Sequence, residues 1–125
     1  MLKEGLFIAL GGGIGAVLRY VVSSVLNRCF KMEHWATFWV NVSGCFTLGL
    51  LFQLLMHSEH CLYIFVLVGI VGSYTTFSAF EYENIDLIAH ERYLEFLKYS
   101  VYSCAFSFFA VAAGFYLGRI LASFI

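Results

Sequence analysis

Four stretches of this sequence are apolar for long enough to cross the hydrocarbon core of a membrane. They cover residues 5–26, 35–56, 61–80 and 99–117, and a helix needs roughly 20 mostly apolar residues to span a bilayer. Only 12% of the 125 residues are charged and none is proline, whereas about a quarter of an average soluble domain is charged. The sequence therefore predicts an all-α membrane protein with four transmembrane helices in a single domain, residues 1–125.

A glycine-rich stretch inside the first window allows two interpretations. Gly11, Gly13 and Ala16 fit the G-x-G-x-x-A pattern of a dinucleotide-binding turn, and Glu33 follows at about the spacing that such a fold requires. That fold alternates strands with helices, but the apolar sequence continues through these glycines without a turn signal. Gly11 and Gly15 also form a G-x-x-x-G pair, which lets two helix backbones approach closely. We favour helix packing.

A second G-x-x-x-G pair, Gly114 and Gly118, lies in the fourth window. Two such faces, together with a polar segment in the third window, are more than one chain of four helices can satisfy internally. We therefore expect the protein to form a dimer.

Other residue types exclude several classes of function. The four cysteines form no C-x-x-C pair, so they predict buried small side chains rather than a metal site. The histidines lie in connectors or at the ends of the windows, and we assign them no chemistry. A net charge of −1 argues against a nucleic-acid partner.

Arg19 and Asn41 are candidate functional residues in the first two windows, because a charged or amide side chain at membrane depth needs a partner, water or a substrate. Arg19 lies about seven residues from the end of its window, so it can extend to the interface or have a functional role. It also argues against a cleaved signal peptide, which Lys3 before an apolar run would otherwise permit. Asn41 lies six residues into the second window. From its position alone we favour a bridge between helices over contact with an ion.

The third window ends in a segment that is unusually polar for membrane depth. Glycine and hydroxyl side chains are crowded there: Gly72, Ser73, Thr75, Thr76 and Ser78. Irregular backbone is tolerated at this depth only when it is buried in protein or lines a wet cavity, and broken helices in transport proteins expose backbone groups to ions. Phe77 and Phe80 are three residues apart, so on a helix they share a face and can present their positive ring edges to a small anion. Either ring can equally face lipid or pack.

The fourth window carries hydroxyl groups every four residues, at Tyr99, Ser103 and Ser107. On a helix this spacing forms a nearly straight stripe down one face. The hydroxyl groups can bond to their own backbone, or the stripe can replace the water shell of an ion that is losing its hydration.

The motifs GGGIGAVLRY, TFWVNVSGCFTLG and GIVGSYTTFSAF occur in this order in a chain of four windows. The sequence resembles the small fluoride channel family called Fluc or CrcB over nearly its whole length. The resemblance implies an antiparallel, dual-topology homodimer in the cell (inner) membrane, with two narrow pathways that conduct fluoride passively and so reduce its toxicity in the cytoplasm.

The resemblance also implies roles for particular residues. The fluoride pathway would be lined by Asn41, Phe77, Phe80, Tyr99, Ser103 and Ser107. A structural sodium ion at the dimer interface would be bound by the backbone carbonyl groups of Gly72 and Thr75. Further site residues would be Arg19, Thr76, Ser78 and Glu83.

The chain departs from the family pattern at two positions in the polar segment. Ala79 stands where the family usually has threonine, and Ser73 stands where many members have a second glycine. Any role of those two side chains is in doubt, although a carbonyl ligand survives a change of side chain. Glu83 resembles an acidic residue near the pathway mouth, but the neighbouring Glu81 could fill that place instead.

A small dimeric exporter of organic cations is the alternative function. Such a carrier needs a carboxylate at membrane depth to exchange protons for its substrate, and every Asp and Glu lies outside the four windows. The orientation of the chain is less well determined. Positive residues favour the cytoplasmic side, and more of them lie in the first and third connectors than near the termini: Arg28, Lys31, Arg92 and Lys98 against Lys3 and Arg119. This bias favours termini outside the cell, so dual insertion is an expectation from the family alone.

Overall fold

Helices account for almost the whole chain in the computed structural model, which describes residues 2–30, 33–56 and 58–124. Lys31, counted in the charge bias, lies outside these residues. The first two helices are α1 (Leu2–Phe30) and α2 (Glu33–Leu55). The third span consists of α3 (His60–Tyr63), a π-helix (Ile64–Val71), a single turn α4 (Gly72–Tyr74) and α5 (Phe77–Ala89). The last helix is α6 (Tyr93–Ala122).

Within the described residues, four segments are long and apolar enough to cross a membrane: Leu2–Cys29, His34–Leu55, His60–Ala89 and Tyr93–Ala122. The first, third and fourth segments extend beyond the windows defined from the sequence, and the third continues through the acidic residues after Phe80. Many large apolar side chains lie on the outside, among them Phe108, which is 70% exposed, and Phe109, which is 69% exposed. Helices that are apolar on all sides are typical of membrane spans.

The helix of the third span is interrupted at Thr75 and Thr76. Both residues are extended, with φ and ψ of −72° and 156° at Thr75 and −146° and 120° at Thr76. α5 then begins again, and the Thr76 hydroxyl group accepts a hydrogen bond from the Ala79 N–H at 3.2 Å. This is an ordinary N-terminal cap. The two-residue interruption occurs in the segment whose glycine and hydroxyl content predicts a break.

The connection from α5 to α6 is a tight turn. Glu91 has a φ of 58°, in the left-handed region that glycine usually occupies at the end of a helix. The Arg92 N–H reaches back to the Leu87 carbonyl oxygen at 2.8 Å. This backbone bond ends α5 and turns the chain into α6.

The helices pack as two parallel pairs, as alternate crossings of a membrane require. α1 lies along the third span, where Phe7 meets Phe65 and Arg19 meets Thr75. α2 lies along α6 in the same way, with Phe38 beside Phe106 and Phe52 beside Phe115. In both pairs the contact positions advance together along the two helices, which makes each pair parallel.

Both glycine pairs pack inside the chain. A side chain on Gly15 would overlap the Ile70 carbonyl group of the π-helix, and one on Gly114 would overlap the Phe46 carbonyl group of α2. Gly11 and Gly118 make equally close backbone approaches in the same two pairs. The glycines therefore act in helix packing, as favoured from the sequence. Because both glycine faces are satisfied within one chain, they give no support to the expected dimer, whose argument must come from the polar break.

Candidate functional site

A cavity of about 300 Å³ lies beside the break, between α2, the third span and α6. Its walls include side chains that the sequence assigned to a pathway: Asn41, Phe77, Phe80, Ser103 and Ser107. They come from three separate helices, so the fold brings together residues that are up to 66 positions apart in the chain. Gly72, Thr75 and Thr76 of the break complete the same wall. No charged side chain is among the described residues that line this cavity.

Asn41 binds the backbone of the break with both ends of its amide group. Its Nδ2 donates to the Thr76 carbonyl oxygen at 2.9 Å, and its Oδ1 accepts from the Thr76 N–H at 2.8 Å. The side chain thus replaces the backbone partners that an extended residue at membrane depth lacks. This is the bridging role favoured from position alone. An amide group has two N–H donors, so a second one remains beside the cavity.

The carbonyl groups of the break have lost part of their helical bonding. In a regular helix the Thr76 N–H would donate to the Gly72 carbonyl oxygen, but here it donates to Asn41. The Gly72 oxygen is left with a long contact of 3.4 Å from the Thr75 hydroxyl group. Carbonyl oxygens are the ligand type that hard cations bind, so the Gly72 oxygen has the chemistry that a sodium ligand needs.

Arg19 lies against the break. Its Nη1 donates to the Thr75 carbonyl oxygen at 3.4 Å, and the residue is half-buried. The contact therefore joins α1 to Thr75, the residue that directly follows α4 in the third span. Arg19 thus contacts one of the two carbonyl groups assigned to sodium, and a carbonyl oxygen has a second lone pair for another partner.

The two phenylalanines differ in their surroundings. Their ring centroids are 6.0 Å apart with planes inclined by 40°. Phe80 is half-buried and its ring lies 5.3 Å from the Tyr99 ring. Phe77 is 74% exposed, although it lines the cavity. In one chain the cavity is thus bounded on one side by a ring that faces outward.

The hydroxyl stripe on α6 is buried at its first two positions. Tyr99 is 8% exposed and Ser103 is 6% exposed, whereas Ser107 is half-buried. Ser103 and Ser107 line the cavity, and Tyr99 lies one turn before them, outside its lining. The Ser103 Oγ is buried, and within the described residues its only polar neighbour is the Tyr99 hydroxyl group one turn earlier, without the geometry of a good hydrogen bond. A buried hydroxyl group that is poorly bonded can take a further partner, such as a water molecule or an ion.

Glu83 lies at one end of the stripe, where it joins three helices. Its carboxylate accepts from the Thr37 hydroxyl group of α2 at 2.6 Å and from the Tyr99 hydroxyl group of α6. The sequence window ended at Phe80 and placed every carboxylate outside the membrane, but Glu83 lies within the segment His60–Ala89. Thr37 had no assigned role. Its position one helical turn before Asn41 was the available signal.

The remaining residues of the polar segment serve the local structure. The Thr76 hydroxyl group lies 3.3 Å from the Ser78 hydroxyl group, and Ser78 is exposed and outside the cavity lining. Ala79 contributes its backbone N–H to the cap at Thr76, so its missing hydroxyl group changes nothing there. Ser73 faces α1, where a Cβ at position 12 would lie only 3.1 Å from its Oγ.

Two features of the third span had no signal in the sequence. One is the π-helix over Ile64–Val71, a rare geometry that is often found near functional sites. The other is a contact between the hydroxyl groups of Ser43 and Tyr74 at 2.9 Å, which ties α2 to the turn before the break. Together with Asn41, this contact fastens the break to α2 at two points.

Comparison with known proteins shows which family this chain matches. Residues 6–115 match the family described as "CrcB-like protein, Camphor Resistance (CrcB)". The protein named "Fluoride-specific ion channel FluC" from Rhizobium meliloti (strain 1021) is 38% identical, over 93% of this chain and 96% of its own length. Proteins of the same name from Flavobacterium psychrophilum and Azobacteroides pseudotrichonymphae are 36% and 37% identical. The matched regions cover 96% and 99% of this chain and 100% and 99% of theirs. The chain therefore belongs to the CrcB family, and it is a multi-pass membrane protein.

Proposed function

We propose that this CrcB-family chain is a fluoride-selective channel. It lets fluoride leave the cell passively and thereby lowers the toxic level of fluoride in the cytoplasm. The names of its relatives support a channel rather than an enzyme, and none of the relatives described above is named as an exporter of organic cations. The observation that carries the proposal is the cavity beside the break, which polar side chains of α2 and α6 and two phenylalanine rings of the third span line without a charged side chain among the described residues.

The donors around the cavity suit a small, strongly hydrated anion. A selective path must replace the hydration shell with several donors, each too weak to trap the ion. The second N–H of Asn41 and the hydroxyl groups of Ser103 and Ser107 are such donors. The rings of Phe77 and Phe80 add positive edges. A fixed positive charge in the same place would also attract larger anions.

Ser103 gives this path its most specific support. The residue lines the cavity, its Oγ is buried, and within the described residues this Oγ makes no bond to its own helix and has only the Tyr99 hydroxyl group within reach. In the empty state a water molecule can occupy this position, and a passing fluoride ion accepts the same hydrogen bond. A hydroxyl group that only packed would bond to its own helix, as Ser43 and Thr47 do.

The functional unit in this proposal is an antiparallel homodimer with dual topology in the cell (inner) membrane. The support is that Phe77 is 74% exposed while it lines the cavity. A second copy against this face would enclose the pathway, whereas lipid would leave the cavity open to acyl chains. The excess of positive residues in the odd connectors opposes dual insertion, so tags on both faces of the membrane are the decisive test of orientation.

A sodium ion at the dimer interface belongs to the same proposal. The carbonyl groups of Gly72 and Thr75 would hold it, because the break has left the Gly72 oxygen without its helical donor, the Thr75 oxygen has only the long contact from Arg19, and carbonyl oxygens match a hard cation. When bound, the ion would join the two copies and add positive potential near the pathway. Asn41 supports this arrangement, since it keeps Thr76 extended and so keeps the Gly72 oxygen without its helical donor.

Efflux from liposomes that contain the purified protein tests the proposal. A fluoride electrode should record rapid release from loaded liposomes, and a chloride electrode should record little. Release should fall severalfold when sodium is replaced throughout by N-methylglucamine, because an ion of that size cannot bind between carbonyl groups. Absence of fluoride release in sodium would overturn the channel. Equal release in both cations would overturn the sodium site alone.

A further inference from the structure

Both rings of the proposed pathway are carried by α5, in the first turn after the break. Phe77 and Phe80 line the cavity, and the extended residues Thr75 and Thr76 separate them from the turn and the π-helix before the break. The backbone hydrogen bonds of a continuous helix fix the rotation of each turn relative to the last, and the break interrupts them. The rotation of α5, and with it the direction of both rings, is therefore set by contacts with other helices.

One such contact involves two residues that have had no role so far. Asn84 is a polar side chain of α5 that is only 5% exposed, and it lies about one helical turn after Phe80. The Ser100 hydroxyl group of α6 donates to the Asn84 Oδ1 at 3.0 Å. Within the described residues, neither side chain belongs to the lining of the cavity beside the break. A buried amide group needs a hydrogen-bond partner, and α6 supplies one to α5 here.

The bond between Asn84 and Ser100 is the second of two adjacent bonds between the same helices. Glu83, the preceding residue of α5, accepts from the hydroxyl group of Tyr99, the preceding residue of α6. Consecutive residues of a helix point about 100° apart, so the two bonds hold α5 from different directions. One bond alone leaves α5 free to turn about it, whereas two bonds fix its rotation.

Apolar burial also holds α5 against α6, but it does not fix the rotation in the same way. Leu87 of α5 is completely buried, and it packs in one cluster with Phe38 and Tyr99. Burial of apolar surface is non-directional, whereas a hydrogen bond requires its donor and acceptor to be aligned. The apolar contacts therefore keep the helices together, and the polar pairs determine how α5 is turned.

The rotation of α5 matters to the cavity because of where Phe80 lies. Its ring packs at 5.3 Å against the Tyr99 ring, and it lines a cavity whose lining also includes Ser103 and Ser107 of α6. A ring edge and a hydroxyl group can contact one small ion together only while the distance between them is held. Chloride is larger than fluoride, so a path whose wall yields loses its selectivity between the two ions.

We propose that Asn84 and Ser100 are positioning residues for the pathway, and that their bond holds the rings of Phe77 and Phe80 at the spacing that admits fluoride and rejects chloride. This role rests on the channel function proposed above and adds to it two residues that do not touch the ion. They act through the rotation of α5. Their loss should therefore change which anion passes, as well as how fast it passes.

The ratio of fluoride to chloride release from liposomes tests this role, because the ratio does not depend on how much folded protein a preparation contains. Ser100→Ala and Asn84→Leu should each lower the ratio about fivefold, a change of the size that the loss of one hydrogen bond can produce. Ser100→Thr keeps the hydroxyl group and should retain the wild-type ratio. Ser123→Ala is the matched control on α6, because the Ser123 hydroxyl group donates to the Ile120 carbonyl oxygen of its own helix.

A double variant shows whether the two residues act as one pair. Ser100→Ala and Asn84→Leu remove the same bond, so the variant that combines them should have the same ratio as either one alone. Two independent sites would instead multiply their effects. A ratio in the double variant equal to the product of the two single effects would overturn the pairing.

The outcomes separate the positioning role from the channel itself. If wild-type liposomes select fluoride and Ser100→Ala keeps the wild-type ratio, the positioning role is wrong and the channel stands. A ratio for Ser100→Thr as low as that for Ser100→Ala would also overturn it, because the hydroxyl group would then not be the cause. Wild-type liposomes that release no fluoride would overturn the channel and the positioning role together.

Discussion

The two parallel helix pairs use the same packing device but differ in backbone. In the α2–α6 pair, glycines let two regular helices touch, and both helices stay α-helical over their full length. In the α1–third-span pair, glycines touch a π-helix, which is followed by a break at Thr75 and Thr76. The α2–α6 pair, the regular pair, thus holds side chains at fixed positions. The pair of α1 and the third span, the irregular pair, instead leaves backbone N–H and C=O groups available for bonding.

The candidate site lies where these two kinds of structure meet. α2 and α6 present Asn41 and Ser103, and the break presents the backbone of Thr76 and the carbonyl group of Gly72. A break at membrane depth is costly unless its N–H and C=O groups find partners. The regular pair supplies those partners, so the break depends on α2 for its stability.

Removing the Asn41 amide group should have the largest effect. Asn41→Ala leaves the N–H and C=O of Thr76 without their partners and removes a donor from the cavity. We expect fluoride efflux to fall at least about 100-fold, with a loss of stability of about 1–3 kcal/mol for each group left unsatisfied. Efflux and thermal unfolding in detergent, measured on one preparation, check both values.

Ser43→Ala is the matched control on the same helix. It removes the contact with Tyr74 but no bond to the backbone of the break. Efflux should stay within about twofold of wild type, as for other substitutions that cost up to about 0.5 kcal/mol. Equal losses in the two variants would contradict the special role of the bond to Thr76.

Disturbing the regular pair should affect stability and leave conduction intact. An added methyl group in Gly114→Ala overlaps the Phe46 carbonyl group, so we expect a loss of about 1–3 kcal/mol. Efflux per folded protein should remain near wild type, because α2 and α6 contribute side chains to the site at positions before Gly114. In Gly13→Ala the new Cβ meets nothing within 4 Å, and this control should unfold at or above the wild-type temperature. If Gly114→Ala lost efflux but kept its stability, packing in the α2–α6 pair would control conduction, and this expectation would be wrong.

The sequence predicts the regular parts of the molecule better than the irregular ones. Long apolar windows predict four spans because length and hydropathy are local properties of a sequence. The break is predicted because glycine and hydroxyl side chains at Gly72, Thr75 and Thr76 disfavour a helix there. The π-helix could not be predicted, because Ile64–Val71 is an apolar run whose composition does not differ from that of a regular transmembrane α-helix.

In the candidate site, the sequence likewise predicts some residues and misses the contacts that others make. Residues expected from the family motifs, such as Asn41 and Phe80, do line one cavity. The role of Glu83 as a bridge between Thr37 and Tyr99 depends on how far α5 extends and on how three helices are arranged. Such contacts are set by packing between distant segments, and spacing along the chain carries no signal for them.

The smallest effect is expected at the end of α5, outside both helix pairs. Glu91 adopts a φ of 58°, which an L-residue with a side chain disfavours and glycine adopts freely. Glu91→Gly should therefore stabilise the protein by about 0.5–1 kcal/mol without changing efflux. Ala112→Gly, in the interior of α6, should have the opposite sign and cost about 1 kcal/mol. A lower unfolding temperature for Glu91→Gly would contradict the turn described here.

The central claim is that Phe77 and Phe80 line a fluoride path rather than pack or face lipid. Phe108 provides a close control, because it is 70% exposed against 74% for Phe77 but lies outside the cavity. Replacement of any of these rings by isoleucine should cost at most about 1.5 kcal/mol, as for other hydrophobic swaps of similar volume. Only the rings at the cavity can lose an electrostatic contact with an anion.

The most direct measurement is fluoride efflux from liposomes for Phe77→Ile, Phe80→Ile and Phe108→Ile, each with a size-exclusion profile from the same preparation. We predict that all three elute as the wild type does, that efflux collapses in the first two, and that it is unchanged in the third. Wild-type efflux from an intact preparation of Phe77→Ile or Phe80→Ile would contradict the assignment of that ring to the path.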